Sequence, residues 1–148
     1  MQIYLIHHGA AVQAIADPQR PLSADGRRNV EHLAGQAAQR GARPVVVWHS
    51  GKLRARQTAE AFWRACNPLA EFSAARGLQP TDPPDWMADL LAGEMRDIML
   101  VGHMPHIERL LRLLVDGSAK GTTAFPMHGI VALEATDDRW VECWRLED

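Results

Sequence analysis

Short runs of consecutive apolar residues most constrain what this chain can fold into. Residues 3–6, 44–48 and 98–101 are such runs, and each has the length of a strand that is buried on both faces. The first strand is expected over residues 2–6. Between these runs, apolar residues recur at the spacing of an amphipathic helix. Alternating strands and helices predict an α/β fold, a three-layer α/β/α sandwich with a mostly parallel sheet.

The same patterns give approximate limits for the other elements. We expect helices over residues 23–40, 50–65, 86–95 and 105–115, and a long loop over 67–85 that holds at most one edge strand. Residues 129–135 and 139–146 predict a terminal hairpin, which would form an antiparallel edge of the sheet. The chain has 148 residues and no linker or repeat, so we expect a single domain over residues 1–148.

Charge and composition argue against several classes of protein. The formal net charge is -2, which provides no global basic field for nucleic acid or a membrane surface. The two cysteines, Cys66 and Cys143, fit no metal or redox spacing, as is usual in a reducing compartment. No apolar run approaches the length of a membrane span, and no charged leader precedes an apolar stretch. These features predict a cytoplasmic protein, and they leave its oligomeric state open.

Two histidines follow buried apolar runs directly. His8 comes after the first run and precedes Gly9, and His103 comes after Gly102 at the end of the run over 98–101. Because ligands of α/β proteins bind at the strand ends, we expect both imidazoles at one edge of the sheet. Two histidines in such a setting indicate chemistry more strongly than a single one.

The segment from Ser50 to Thr58 predicts an anion site at the start of a helix. Ser50 is a candidate N-cap, and the first helical turn would add free backbone N–H groups to the charges of Lys52 and Arg54. Arg20 would offer a further guanidinium if a phosphate lay next to it. An imidazole can attack phosphorus while cationic groups stabilise the developing charge, so this set of residues favours phosphoryl chemistry.

Four segments, in their order and spacing, resemble the motifs of the histidine phosphatase superfamily. The compact length is similar to that of its small bacterial phosphohistidine phosphatases of the SixA type, so the resemblance implies a phosphoglycerate mutase-like fold. The matching segments are residues 1–9, which end in His7-His8-Gly9, then Arg20-Pro21-Leu22-Ser23 with Gly26, then Ser50 to Thr58, and Val101-Gly102-His103-Met104-Pro105.

The resemblance implies a metal-independent phosphatase without a cofactor. Its substrate would be a phosphohistidine in a protein or a small phosphomonoester. His8 would be the nucleophile that is transiently phosphorylated, His103 a donor to the phosphoryl oxygens, and Arg54 a phosphate clamp. The remaining contacts to phosphate or substrate are expected from His7, Gly9, Arg20, Ser50 and Gly102.

One position departs from the family, which has arginine where this chain has His7. Arginine carries a permanent, fork-shaped charge, whereas histidine is shorter and partly neutral at pH 7. The chain is therefore either an active enzyme, a weakened one, or a binding domain for phosphate or a phosphoprotein. Arginine keeps its charge at every working pH, whereas a histidine beside His8 tends to lose its proton, so we expect His7→Arg to raise activity. Bound phosphate would favour the protonated form of His7, which could then do part of the same job.

The proton donor is open from the sequence alone. Asp82 is the first candidate and Asp17 the second, and Gln79 stands near where larger members of the family have an acidic residue. A leaving imidazole is protonated easily, which makes a dedicated acid less necessary for phosphohistidine.

The remaining histidines leave further alternatives. His49 either lines the pocket or turns away from it, because side chains alternate along a strand. His32, His106 and His128 are expected to be structural, although the loop with His128 could border the pocket. A site for a metal ion is a third alternative, built from His7, His8, His49 and His103.

Overall fold

Six strands and four helices follow one another along residues 1–147, the part of the chain that the structure, a computed structural model, describes. In chain order they are β1 (Gln2–His7), α1 (Ala24–Gln39), β2 (Val46–His49), α2 (Leu53–Cys66), β3 (Glu71–Ala74), α3 (Pro84–Ala92), β4 (Ile98–Gly102), α4 (His106–Asp116), β5 (Ile130–Ala135) and β6 (Trp140–Leu146). Strands and helices alternate over the first eight elements, and the hairpin comes last.

The strands form one sheet in the order β3-β2-β4-β1-β5-β6. The first four of these are parallel neighbours, whereas β5 runs antiparallel to both β1 and β6. His7 pairs with Gly102 and His49 with Val101, so the carboxyl ends of β1, β2 and β4 lie at the same edge. The amino end of β5 reaches this edge too, because Ile6 pairs with Ile130.

Each face of the sheet is covered by two helices. Tyr4 and Ile6 of β1 pack into a buried cluster with α1 and α2, and the alternate residues Ile3 and Leu5 pack into a second cluster with α3 and α4. All four side chains are at most 2% exposed, as expected for a strand that has a helix layer on either side. This arrangement confirms the predicted three-layer α/β/α sandwich with an antiparallel edge.

Several element boundaries differ from the predicted ones. β2 begins at Val46 and not at residue 44, since Pro44 has no N–H to donate to a neighbouring strand. α3 begins at Pro84, which occupies the first turn, and the helix ends at Ala92 before Gly93. The predicted loop over 67–85 holds the edge strand β3.

The prediction that Ser50 caps α2 is wrong. α2 begins at Leu53, its N-cap residue is Lys52, and no side chain caps it. The physical reason is that the Ser50 hydroxyl is occupied elsewhere, as described below. No helix within residues 1–147 has both the length and the apolar character that crossing a membrane requires.

Candidate active site

Four histidine rings meet where β1, β4 and the segment before β5 converge. The His8 ring centroid lies 4.5 Å from that of His7, 5.0 Å from that of His103 and 5.9 Å from that of His128. The rings of His7 and His128 stack nearly parallel, with centroids 4.7 Å apart. The structure thus brings His8 and His103 together, as their positions after two strands predict.

His8 is held in one tautomer. Its Nδ1 lies 2.7 Å from the carbonyl oxygen of Gly9, and a carbonyl can only accept, so Nδ1 carries the proton. Burial lowers the pKa of His8 to about 4, although the contact with Gly9 opposes this shift. The ring is therefore neutral at pH 7, and its Nε2 presents a free lone pair.

The backbone that carries His8 is fixed by β4 and α2. The His8 N–H donates to the Gly102 carbonyl at 3.1 Å, and the Gly9 N–H donates to Thr58 Oγ1 at 3.0 Å. Thr58 in turn donates to the carbonyl of Arg54 at 2.8 Å. Both polar groups of Gly9 are engaged within the protein, and neither is free to contact a phosphate.

Space is equally tight around Gly9. A Cβ atom at this position would overlap the side chain of Val30 on α1 and would meet Leu22 at 3.2 Å. Only glycine therefore fits between the ring of His8 and the helix, which explains why this residue follows the histidine.

His103 is paired with Ser50. Its Nε2 lies 2.6 Å from Ser50 Oγ, and Ser50 Oγ also accepts the Lys52 N–H at 3.3 Å. The Nδ1 atom of His103 is buried and has no partner among the described residues. Burial lowers the pKa of His103 to about 3, with a smaller contribution from His8. If Ser50 donates its hydroxyl proton to Nε2, Nδ1 becomes a buried N–H donor that lacks an acceptor.

His7 is held as a neutral ring by the segment before β5. The backbone N–H of His128 donates to His7 Nδ1 at 2.7 Å, so that nitrogen has no proton and Nε2 carries the only one. Burial lowers the pKa of His7 to about 3, and the neighbouring charge of His8 adds to this shift. The expectation that bound phosphate protonates His7 does not fit this contact, because a protonated Nδ1 would face the N–H of His128.

Positive charge lies close to these rings. The buried Nε of Arg54 has no partner, and the pKa of Arg54 is lowered by burial and by Arg20. Arg20 donates its own Nε to the carbonyl of Val12 at 3.1 Å. No carboxylate within residues 1–147 forms an ion pair with Arg20, Lys52 or Arg54. Guanidinium groups that lack a carboxylate partner and lie beside neutral imidazoles suit an anion.

Two further side chains hold the segments of the site in place. Gln57 accepts the N–H of Leu22 at 2.8 Å and thereby ties the segment of Arg20 to α2. Gln79 donates its side-chain amide to the carbonyl of Ser50 at 2.6 Å. Sequence analysis did not assign these roles, because a glutamine that holds backbone has no signature in a single sequence.

The two candidate proton donors are both engaged with backbone. Asp82 accepts the N–H of Gln79 at 3.0 Å, and its charge raises the pKa of His106 against the larger effect of burial. Asp17 accepts the N–H of Gln19 at 2.9 Å, in the loop that leads to Arg20. Gln79 thus links Asp82 to Ser50, because its backbone N–H donates to Asp82 and its side chain donates to the carbonyl of Ser50.

His49 turns away from the other rings. Its Nδ1 accepts the N–H of Gly51 at 3.0 Å, and its ring packs 5.0 Å from that of Phe72 in the layer of α1 and α2. The predicted four-histidine metal site is therefore not assembled.

A different group, His7, His8 and His128, does bring one ring nitrogen of each residue within 4.8 Å of the others. Nε2 of His7 carries a proton, however, and a protonated nitrogen is no metal ligand. This group suits an oxyanion better than a metal ion.

His128 is the residue that sequence analysis assigned to structure and that the fold places at the site. Its Nδ1 lies 2.6 Å from the carbonyl oxygen of His8, to which it donates. The signal that could have found it is the predicted hairpin. An antiparallel strand next to β1 starts at the edge where β1 ends, so the residue just before β5 must lie beside His8.

Comparisons with known proteins identify the family and the fold. The sequence profile of the histidine phosphatase superfamily (branch 1) matches residues 3–89. The structure of a putative phosphohistidine phosphatase SixA from Agrobacterium tumefaciens is 28% identical, with a TM-score of 0.82 over 99% of this chain and 97% of the other. No curated protein sequence matches the chain.

More distant structures share the fold. The protein histidine phosphatase SixA in complex with tungstate has a TM-score of 0.85 at 21% identity, covering 99% of this chain and 97% of the other. A phosphoserine phosphatase mutant from Entamoeba histolytica, in complex with phosphoserine, has a TM-score of 0.70 at 14% identity, covering 97% and 95%. The phosphoglycerate mutase-like fold expected from the four motifs is thereby confirmed.

Proposed function

Because the chain belongs to the histidine phosphatase superfamily, we propose that it is a phosphatase that works through a covalent phosphohistidine on His8. The observation that carries this proposal is the tautomer of His8, whose Nδ1–H is donated to Gly9 and whose neutral Nε2 keeps its lone pair. A nucleophile needs that lone pair at working pH.

In the first step, Nε2 of His8 forms a bond to phosphorus, and the bond from phosphorus to the leaving oxygen or nitrogen breaks. The leaving group takes up a proton. In the second step, water attacks phosphorus and the bond to Nε2 breaks, which returns the electron pair to His8 and releases inorganic phosphate. The second step transfers the proton of the attacking water to solvent or to a neighbouring base.

The groups around His8 are suited to the charge that develops on the phosphoryl oxygens. Arg54 and Arg20 supply cations, His7 supplies Nε2–H, and His103 supplies Nδ1–H in the tautomer in which Ser50 donates. Among the described residues, Nε of Arg54 and Nδ1 of His103 are buried without a partner, as a site that is organised before its ligand arrives requires. Gly9 and Gly102 position His8 through their carbonyl groups.

The neighbours and the acids near the site support a proposal for the substrate class. A SixA-type structure at 28% identity favours protein phosphohistidine, and a small phosphomonoester is the alternative. Asp82 is our first candidate for the proton donor and Asp17 the second. Since both already accept backbone N–H groups, a leaving imidazole that needs little acid help suits this site better than an alkoxide.

A second candidate function is binding of phosphate or a phosphoprotein without turnover. This candidate function is favoured because His7 is a neutral ring whose Nδ1 accepts the N–H of His128, whereas the family has a permanent cation at that position. Loss of such a charge-assisted contact is worth about a hundredfold in rate, or about 2.7 kcal/mol.

A phosphoenzyme experiment tests the proposal and separates the two functions. Wild-type protein incubated with radiolabelled phosphohistidine peptide, or with an aryl phosphate, should form an acid-labile, alkali-stable adduct and release phosphate. His8→Asn should form no adduct and show no turnover, whereas the matched variant His32→Gln, at an exposed position of α1, should behave like wild type.

Tight phosphate binding without adduct or turnover in the wild type would support the binding function instead. An adduct that persists in His8→Asn would show that another residue is the nucleophile.

A further inference from the structure

We propose that His128 supplies the positive charge that His7 cannot, by taking up a proton when an oxyanion binds beside His8. This inference deepens the proposed function. It concerns which group of the site balances the negative charge of the substrate. It assigns a binding residue outside the four segments that resemble the family motifs.

The first step of the argument is the charge at position 7. His7 accepts the N–H of His128 at Nδ1, so it can offer one N–H donor but no net charge while that contact persists. The pocket therefore has a neutral donor where arginine would have placed a cation. A phosphoryl group arrives with negative charge, and a further cation near His8 and His7 would stabilise it.

The second step is the anchoring of the His128 ring. Its Nδ1 donates to the carbonyl of His8 at 2.6 Å, and the carbonyl can accept this N–H whether the ring is neutral or cationic. Protonation of the other ring nitrogen thus breaks no existing hydrogen bond. The same change in His7 would set its new N–H against the backbone N–H of His128, and in His8 it would remove the lone pair.

The third step is exposure. His128 is half-buried, whereas His7, His8 and His103 are at most 9% exposed. A charge costs least free energy where water still reaches it, so a positive charge is accommodated better on this half-buried ring than on the three buried ones.

The backbone conformation supports a specific placement. His128 has φ of 55°, in the left-handed region that side chains rarely adopt, and it is one of two such residues besides glycine within the described chain. This conformation directs the backbone N–H to His7 and the ring to the carbonyl of His8 at once. Strain of this kind occurs where a site over-determines the backbone.

The charged groups around this cluster belong to α2, α4, β6 and the segment of Arg20. The charges of Arg54, on α2, and Arg20 act on the pocket, and Arg54 lowers the pKa of both His7 and His8. From α4, Glu108 accepts the N–H of Phe125, and from β6, Arg145 donates to the carbonyl of Ala124. These last two hold the backbone of the segment before His128 and do not contact its ring.

Tungstate binding measured by calorimetry tests the inference. Tungstate is a dianion throughout the neutral range, so protons taken up on binding belong to the protein. Titrations in two buffers of different ionisation enthalpy give that number of protons. We expect proton uptake by the wild type at pH about 7.5, and affinity that weakens as the pH rises through the neutral range.

The informative variant is His128→Asn, because asparagine tolerates the left-handed region and keeps the backbone N–H for His7. We expect it to lose the proton uptake, to bind tungstate about ten- to a hundredfold more weakly, and to show little dependence of affinity on pH. His128→Gly is the second variant, with circular dichroism as the check on folding, and His32→Gln is the matched control that should bind like wild type.

Proton uptake by His128→Asn equal to that of the wild type overturns the inference, as does a wild type that binds no tungstate. The proposed phosphatase function is judged separately, by turnover of an aryl phosphate in the same preparations. Proton-linked tungstate binding without turnover supports the role of His128 and contradicts the phosphatase. Turnover together with unchanged uptake in His128→Asn does the reverse.

Discussion

At the residue scale, the backbone decides which nitrogen of each histidine is available. A carbonyl oxygen fixes the proton of His8 on Nδ1, and a backbone N–H removes the proton of His7 from the same atom. Two adjacent residues of one type therefore receive opposite tasks, one as a base with a lone pair and one as a donor. Both rings are neutral at pH 7 in these tautomers.

This arrangement alters what an arginine at position 7 would do. Arginine has no acceptor, so His7→Arg leaves the backbone N–H of His128 without a partner and removes the stacked ring. We expect the free energy of unfolding to fall by about 1–3 kcal/mol, as for other buried donors that lose their acceptor. Urea denaturation at pH 7 measures this change.

His7→Gln is the matched variant, because its carboxamide oxygen can accept that N–H while its NH₂ group donates to a ligand. It should lose less stability than His7→Arg. An arginine variant as stable as the wild type, or more active with no loss of stability, would show that the contact between His7 and His128 is dispensable.

At the element scale, two consecutive side chains of α2, those of Gln57 and Thr58, hold the segments of the site together. Gln57 holds Leu22, and Thr58 bridges the N–H of Gly9 and the carbonyl of Arg54. One turn of helix thus fixes the nucleophile candidate, the clamp and the loop of Arg20 relative to one another. Gln57 and Thr58, the last two residues of the matching segment from Ser50 to Thr58, brace the backbone in this way.

Thr58→Val should separate bracing from chemistry. Valine keeps the shape but leaves the Gly9 N–H unpaired, so we expect kcat to fall at least about tenfold with a smaller change in KM. Thr58→Ser retains the hydroxyl and should restore most of the activity. Steady-state kinetics with an aryl phosphate measure both, and equal activity of the valine and serine variants would contradict the positioning role.

At the scale of the whole molecule, burial keeps the rings of several histidines neutral at pH 7. Burial lowers the pKa of His8 and His106 from 6.5 to about 4, and that of His7 and His103 from 6.5 to about 3. His106 is fully buried, and both of its ring nitrogens lack partners among the described residues.

These shifts predict how stability depends on pH. Below 6.5 the unfolded chain binds protons that the folded protein does not, so stability is full above 6.5 and falls as the pH drops toward 4. Each histidine contributes a slope of up to about 1.4 kcal/mol per pH unit. Urea denaturation between pH 7 and pH 4.5 should show this fall, within the window that the values above define.

His106→Leu isolates one contribution. It removes two unpartnered buried polar atoms, so it should raise stability at pH 5 by more than at pH 7 and reduce the slope by about one histidine's share. A slope that is the same in His106→Leu and wild type would contradict the assignment.

The sequence predicted the fold well because its apolar runs are local signals. The apolar run over residues 98–101 indicates a buried strand, and β4 consists of this run and one further residue, Gly102. The site was predicted where a motif follows a strand, as at His8 and His103. His128 and Thr58 could not be assigned, since their roles arise from contacts across 120 and 49 positions of sequence. Ser50 was assigned to the wrong task because its partner, His103, is 53 positions away in the sequence.

The central place of β1 in the sheet affects the order in which the fold can be completed during synthesis. β1 is synthesised before β5, yet it pairs along its length with β5, from Gln2 with Glu134 to Ile6 with Ile130. Until β5 emerges, a nascent chain carries His8 beside an unpaired strand edge, the kind of edge that invites wrong partners. His128 lies 120 positions after His8, so the candidate site is complete only once the segment before β5 has been made and has joined the sheet.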